Sequence, residues 1–355
     1  MKVFVGLSGG VDSAVSAALL QSQGHEVVGA FIRIAIEGYP CTAGEDRISA
    51  MRVAAHLKIP FVEVDLSKEY QERVFTESIR GFSQGNTPNP DILCNREIKF
   101  GLFYEWARAQ GADWVATGHY ARVSSGELLV GVDKEKDQSY FLWAVPGAIL
   151  KHVLFPIGHL TKPQVRKLAT KLGLPNAARR DSQGLCFLGP LSVSAMLQKE
   201  LHPAPGAVLD ESGQEVGVHE GALLYTLGQR HGFSFHSQSP AAAPHYVIAK
   251  DIAANTITVS TDKFPTAATA TEVLLADTNW IGSVESGPCL ARYRYRQELI
   301  PAVLQRSDLG EDFKGLTFAK VMLLKPHWVP KGQSLVVYKQ ERCLGGGVIQ
   351  ESTVY

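Results

Sequence analysis

Val3 to Leu7 is an apolar run rich in β-branched residues, the pattern of a strand buried on both faces. Ala14 to Gln23 spaces its apolar residues helically and stops at Gly24. The two periods then alternate. Glu26 to Ile32 reads as a strand, and Gly44 to Lys58 as a helix whose Ile48, Met51, Ala55 and Leu57 can share an apolar face. Ile59 to Leu66 is a strand, Lys68 to Phe82 and Ile92 to Gln110 are helices, and Trp114 to Gly118 is a strand. Such alternation predicts a mainly parallel sheet with helices on both faces. Ligands of these sheets sit beyond the C-terminal strand ends, where strand order reverses. The loops at that edge are Gly6 to Ser13, the segment after Ile32, and Gly118 to Tyr120. Thr161 and Pro163 open a further helix that ends at Gly173.

The pattern changes near residue 200. HPAPG (202–206) is rich in turn formers, and short strands such as NTITVS (255–260), KVMLL (320–324) and SLVVY (334–338) follow. This half reads as all-β, as small barrels or a barrel plus a linker domain. The expected domains are 1–199, with a basic helical part from about 151, then 200–268 and 269–355.

Composition adds limits. The 355 residues are 45% hydrophobic and 20% charged, enough for two or three domains. No apolar run is long enough to span a membrane, and the N-terminus does not read as a signal peptide, so a cytoplasmic location is expected. The 35 basic and 35 acidic residues cancel, which disfavours a general nucleic-acid coat protein. Their distribution is uneven. Lys151 to Arg180 carries seven basic residues and no acid, and RYRYR (292–296) interleaves arginine with tyrosine. Each can be an ordinary solvated face; together they suggest a polyanion partner.

Cys41, Cys94, Cys186, Cys289 and Cys343 are odd in number, widely spaced and without a C-x-x-C pair. That disfavours a disulfide framework or a cysteine-only metal site. Cys186 lies close after Arg179 and Arg180, and cationic neighbours lower a thiol pKa. Cys94 follows Asp91 by three residues, which puts carboxylate and thiol on one side of a helical turn. Asp91 is also a candidate helix cap. The ordinary role of any one of these thiols is structural, and Cys41, Cys289 and Cys343 are read that way.

Gly6, Leu7, Ser8, Gly9, Gly10, Val11, Asp12 and Ser13 connect the first strand to the first helix. Paired glycines let backbone N–H groups approach an anion, and the helix adds the positive end of its dipole. The loop lacks both the Gly-Lys-[Ser/Thr] ending of a Walker A motif and the G-x-G-x-x-G fingerprint. Asp12 would repel phosphate unless a cation intervened, so Mg²⁺ is expected with it. SGGVDS after an N-terminal strand resembles the PP-loop of the ATP pyrophosphatases, which implies ATP cleaved to AMP and pyrophosphate.

The longer segments TPNPDILCNREIKF (87–100), GADWVATGHYAR (111–122), KDQSYFL (136–142), DSQGLCF (181–187), YTLGQRHGF (225–233), RYRQ (294–297) and CLGGGVI (343–349) resemble the tRNA-specific 2-thiouridylase family, in order, across nearly the whole chain. The resemblance implies a Rossmann-like (HUP-type) PP-loop α/β domain, a small β-rich central domain and a C-terminal β-barrel. It implies adenylation of O2 of the wobble uridine, position 34 of the tRNA, followed by persulfide attack at C2. Cys186 would carry the persulfide, Cys94 would release the sulfur through a transient disulfide, and Asp91 would be the acid/base. ATP would contact Gly6 to Ser13, the backbone near Ile32, and Gly118. The base would meet Asn89, Pro90 and Asp91. Other RNA contacts would be His119, Lys136, Asp137, Gln138, Arg294, Tyr295 and Gln333. Implied partners are the anticodon arms of tRNAs for Lys, Glu and Gln, and a sulfur-donor protein, either a cysteine desulfurase or a sulfur carrier. Two stretches depart from the family pattern. FIRIAIEGYPCTAGED (31–46) stands where many members have Lys-Asn-Trp and acidic residues, and GFSFHSQSPAAAP (232–244) replaces a Gly-Leu-Gly run. Competing classes are a PP-loop synthetase of a small molecule with inert cysteines, and a non-catalytic RNA-binding protein, against which the complete SGGVDS stands.

Overall fold

Strand β1 (Lys2–Gly6) lies mid-sheet, which is why Val3, Phe4 and Val5 are all apolar and buried. It is flanked by β2 (Glu26–Arg33), with β3 (Phe61–Asp65) beyond, and on its other side by β4 (Trp114–Ala116). The strand Val153–Leu154 completes the all-parallel sheet next to β4. The chain moves outward from β1 to β3, then returns to β1's other edge. The loop leaving β1 therefore emerges at the point of reversal. This computed structural model describes residues 1–39, 43–180, 184–189, 191–237, 243–262, 270–305 and 318–353; Cys41 and Asp181, Ser182 and Gln183 of DSQGLCF lie outside them.

Alternate residues of β1 serve the two faces. Phe4 packs with Ile32, Tyr70, Cys94, Ile98 and Phe103. Val3 and Val5 pack with helix α1 (Val11–Ser22) and helix α2 (Ala43–Leu57). The helix at α2 is as expected, but its buried face is not. Ala50, Val53 and Ala54 face the sheet, whereas Ile48 and Met51 are 49% and 41% exposed. A narrow small-residue stripe lets α2 lie close to β2 and α1, and it points Ser49 at the β1 loop.

Two expected helices contain wider turns. Residues Lys68 to Phe82 fall in a helix whose middle, Gln71–Thr76, is π-helical. The chain from Pro90 runs as one α-turn (Pro90–Leu93), then a π segment (Cys94–Leu102), then α-helix again (Phe103–Ala109).

Five strands between Gly206 and Ser260 form the central sheet, which is antiparallel except where Thr256–Thr258 pair with Ala207–Leu209. Beyond it, Ala270–Trp280, Gly287–Arg292, Ile300–Gln305, Ala319–His327, Ser334–Lys339 and Arg342–Thr353 make a closed six-stranded antiparallel barrel, its first and last strands paired.

The barrel is tied to the α/β domain. A hairpin of that domain, Ala121–Ser124 and Glu127–Val130, continues the barrel sheet by pairing Leu128 and Leu129 with Cys343 and Arg342. Asp137 and Arg292 form an ion pair at 2.5 Å with both side chains nearly enclosed. Tyr140 donates its hydroxyl to the carbonyls of Tyr293 and Ser334. The expectation of an open RYRYR patch therefore fails in part. Arg292 and Tyr293 are interior residues, and Arg296 alone of the five is exposed. Arginine can enter the interior here because a carboxylate and the Tyr338 hydroxyl satisfy it. Among the described residues no helix is long and apolar enough to cross a membrane.

Candidate functional site

The β1 loop is shaped before any ligand arrives. Gly9 adopts φ +77°, and a Cβ there would stand 2.5 Å from the Asp46 carbonyl oxygen. Its own carbonyl accepts bonds from Ser49 Oγ (2.8 Å), Asn176 Nδ2 (2.9 Å) and Arg179 Nη1 (3.1 Å). Ser8 N–H donates to Ser13 Oγ at 3.2 Å, and Ser13 Oγ donates to the Gly10 carbonyl at 3.1 Å. Helix α1 begins at Val11 with Gly10 as its cap residue and no side-chain cap, so its first N–H groups are not taken by a cap. Gly118 closes the other wall: a Cβ there would lie 2.7 Å from the Ser13 nitrogen. Ile32, near the end of β2, is buried. An uncapped helix start behind a left-handed glycine fits a nucleotide phosphate.

The charge on Asp12 already has an answer. Its two oxygens each receive a bond from Lys162 Nζ at 2.8 Å, and Oδ1 also accepts from the Tyr120 hydroxyl at 2.8 Å. Phosphate repulsion by Asp12 therefore does not by itself require a metal. Among the described residues no three His, Cys, Asp or Glu side chains make a metal cage. Asp12 offers one carboxylate, which fits Mg²⁺ only in its common mode, shared with nucleotide phosphates.

The second half of the site is built on the helix from Pro90. Asn89 caps it, its Oδ1 accepting from the N–H groups of Asp91 (3.1 Å) and Ile92 (3.4 Å), and Pro90 sits where no donor is needed. Asn89 therefore takes the cap role considered for Asp91, and the Asp91 carboxylate is left for chemistry. It receives the backbone N–H of Cys186. Burial pushes its pKa up, and Lys99 and that N–H only partly oppose this. A carboxyl shifted upward in this way is a better proton carrier than a solvated one.

Cys94 is fully buried, and its Sγ donates to Cys186 Sγ at 3.4 Å across 92 positions of sequence. Both are free thiols, well beyond the ~2.05 Å of a disulfide bond. Cys186 is half-buried. Tyr70 holds its backbone, donating to the Cys186 carbonyl at 2.9 Å, and packs edge-on against Phe187. Of the two thiols Cys186 ionises first. The Cys94 S–H bond stabilises its thiolate, and the Lys99 ammonium adds its charge and a hydrogen bond, against burial. Burial and the neighbouring sulfur drive Cys94 the other way.

Arg179 and Arg180 were the expected activators. Arg179 is instead committed to Gly9 and to Asp46, and Arg180 is exposed. Lys99, which sequence reasoning passed over, supplies the charge. Lys162 was counted only within a basic stretch, and Tyr70 was not singled out. Lys162 carried a signal, because it begins a helix directly after its Thr161 cap.

The residues expected to touch RNA divide. His119 is buried between Phe100 and Phe155 and bonded to Thr117 Oγ1 at 2.7 Å; burial, then Lys99, hold it neutral. Asp137 is corrected to an interior residue, 5% exposed, its oxygens accepting from Gly131 N–H, Ser139 N–H, Ser139 Oγ and Arg292. Gln138 Oε1 accepts from Tyr120 N–H at 2.9 Å, so its side chain positions the Gly118 to Tyr120 turn. Arg294 binds the Leu227 carbonyl, bridging barrel and central domain. Tyr295 packs on Phe141 with ring centroids 4.6 Å apart, and Arg296 lies over its ring. Gln333 pairs its backbone with Pro330 and Ile349. Next to it Gly332 binds Ile349 and lies against Asn86 and Thr87, just before Asn89. Lys136 caps a turn with Asp133 through its N–H.

Three family models match the chain: the tRNA methyl transferase HUP domain over residues 1–190, the tRNA methyl transferase PRC-barrel domain over 194–261, and the aminomethyltransferase beta-barrel domain over 270–349. Among curated relatives, the tRNA-specific 2-thiouridylase MnmA of Nitrosomonas eutropha is 41% identical over 364 residues, covering 99% of both chains. That of Geobacillus thermodenitrificans is 40% identical, covering 99% of this chain and 95% of its own. A solved 4-thiouridine synthetase–RNA complex with bound ATP aligns at 17% identity and TM-score 0.34, over 57% of this chain and 49% of its own, too distant to carry an argument. With the whole-length matches at about 40% identity and the two thiols brought within 3.4 Å of each other, the chain belongs to the tRNA-specific 2-thiouridylase family.

Proposed function

We propose that this protein is a tRNA uridine sulfurtransferase that spends ATP to convert the wobble uridine to 2-thiouridine. The observation that carries it is the Cys94–Cys186 pair, 3.4 Å apart beside Asp91 and Lys99. A methyl or small-molecule transfer has no use for two such thiols. ATP, bound by residues 6–13 near Ile32 and Gly118, supplies the adenylyl group that makes O2 of the uridine a leaving group. Asp12 and Lys162 would hold Mg²⁺ and phosphate charge there. The ionised Cys186 takes sulfur from a donor protein, a cysteine desulfurase or sulfur carrier, and presents it as a persulfide. Asp91 moves the proton at the reacting oxygen. Cys94 attacks Cys186 Sγ, forming a disulfide and leaving the outer sulfur on the base.

The substrates are anticodon arms, with the Lys, Glu and Gln tRNAs proposed first. Unpaired loop bases are the cheapest to flip toward a buried thiol. Asn89 and Pro90 flank the base and Lys136 faces the RNA, all on the domain 1–199; Arg294, Tyr295 and Gln333 face the RNA from the domain 269–355, with 200–268 between the two. The location is cytoplasmic, where ATP and tRNA are. The test is to supply unmodified tRNA, ATP, Mg²⁺ and a persulfide donor, and to follow 2-thiouridine by mass spectrometry. Product lost in Cys186→Ala supports the reading. Thiolation in that variant equal to wild type would favour a synthetase with inert cysteines.

A further inference from the structure

Asp91, Cys94 and Lys99 are spaced by three and then five residues. On a regular α-helix a side chain five positions on is rotated by about 500°, that is about 140° away from the first. Lys99 would then point away from the thiols. The helix instead widens at Cys94, and the π segment Cys94–Leu102 makes hydrogen bonds five residues apart. Residues five apart are thereby brought back over one another. The change of pitch begins at the reactive cysteine itself. Its effect is to turn Lys99 onto the face that already carries Asp91 and Cys94.

We propose that Lys99 is the positioning cation of the sulfur site, holding the Cys186 sulfur as an anion both before and after it is loaded. The inference rests on the sulfur-transfer reading above. Lys99 Nζ hydrogen-bonds Cys186 Sγ and lies 5.8 Å from the centroid of the Phe187 ring. Burial pushes its pKa down; the neighbouring Cys186, Cys94 and Asp91 push it up by more, so it stays an ammonium. Among the described residues the groups that face Cys186 are Cys94, Lys99, Asp91 and Tyr70. His119, which feels the Lys99 charge, is held neutral, so it adds no second cation.

The step balances. The Cys186 thiolate attacks the outer sulfur of a donor persulfide, R–S–S⁻, and the donor S–S bond breaks. Its electron pair leaves on the donor sulfur as R–S⁻. Cys186 becomes Cys186–S–S⁻, and no oxidant or reductant is consumed. The charge on the Cys186 side is −1 before and after, so a single fixed ammonium serves both states. Charge matching of this kind also restrains Asp91. One ammonium offsets one buried anion well and a second poorly, so a charge on Asp91 opposes the anionic sulfur of Cys186.

The test measures iodoacetamide alkylation of the Cys186 peptide against pH, by mass spectrometry, on full-length wild type, Lys99→Met and Lys99→Arg. Lys99→Met raises the midpoint by about one pH unit or more, so the rate at neutral pH falls about fivefold or more. Lys99→Arg restores most of it, which a purely structural role would not do. If Lys99→Met melts below the assay temperature, Lys99→Gln carries the same comparison. Superimposable profiles in folded wild type and neutral variant would overturn the proposal. So would Lys99→Arg behaving like Lys99→Met. A protein that makes no 2-thiouridine yet shows the shifted profile would sink the function and leave the Lys99 assignment standing.

Discussion

Replacing Asp137 separates an RNA contact from a structural tie. Family resemblance assigns this residue to RNA, but the structure puts its carboxylate inside, bonded to Arg292 at 2.5 Å, to Ser139 Oγ at 3.0 Å and to two backbone N–H groups. The side chains of the ion pair are 6% and 8% exposed, so solvent screens it little. Asp137→Ala leaves a buried guanidinium without its carboxylate, bonded to the uncharged Tyr338 hydroxyl and Ser139 Oγ. Removing one partner of a buried pair costs about 3–5 kcal/mol. Two backbone N–H groups lose their acceptor as well, at about 1–3 kcal/mol each if left dry. Because Asp137 lies before the barrel and Arg292 within it, the loss falls on the joint between domains. The assay is urea unfolding followed by fluorescence, alongside tRNA binding measured far below the unfolding midpoint. The double replacement Asp137→Leu with Arg292→Met should recover much of the loss, since both charges go together. Unchanged unfolding with tRNA binding weakened tenfold or more would refute this account and return Asp137 to the RNA surface.

Lys162→Met removes the counter-charge of Asp12, so ATP affinity should fall about tenfold, about 1.4 kcal/mol, read by nucleotide titration. An equal or tighter Kd would show that Lys162 faces Asp12 alone. Gly118→Ala forces a Cβ to within 2.7 Å of the Ser13 nitrogen, and should raise KM for ATP while sparing alkylation of Cys186. Sulfur loading on Cys186 should rise with pH and level off below the ordinary thiol range, since its pKa is lowered; loading that tracks an unshifted thiol would contradict this. The same sign applies to stability: the contribution of this ionisation is present above the unfolded thiol pKa and is lost as pH falls through the lowered one.

What was legible in the sequence was local or periodic. The β1 loop could be found because a strand, a glycine pair and a helix adjoin within a few residues. The parallel sheet followed from alternating periods. The buried face of α2 did not, because Ile48 and Met51 are the larger apolar side chains, yet close packing selected the stripe of Ala50, Val53 and Ala54. Lys99 was hidden for a different reason: α-helical spacing points it away from Cys94, and only the wider turn brings it back. Asp137 and Arg292 are 155 positions apart, and nothing near either announces a partner. RYRYR looked like a surface for the same reason. The two cysteines could be singled out, but the Cys94–Cys186 hydrogen bond and the Lys99 ammonium, which together favour the Cys186 thiolate, came from the fold.

The central claim is that Cys186 carries the sulfur and Cys94 resolves it. Single-turnover thiolation of unmodified tRNA, with ATP, Mg²⁺ and enzyme preloaded as persulfide, tests it most directly, followed by peptide mapping under acid quench. The account predicts one 2-thiouridine per loaded enzyme and a Cys94–Cys186 disulfide appearing in step with it. In Cys94→Ser the account predicts no disulfide and tRNA trapped on Cys186. Full, repeated thiolation by Cys94→Ser without added reductant would contradict it.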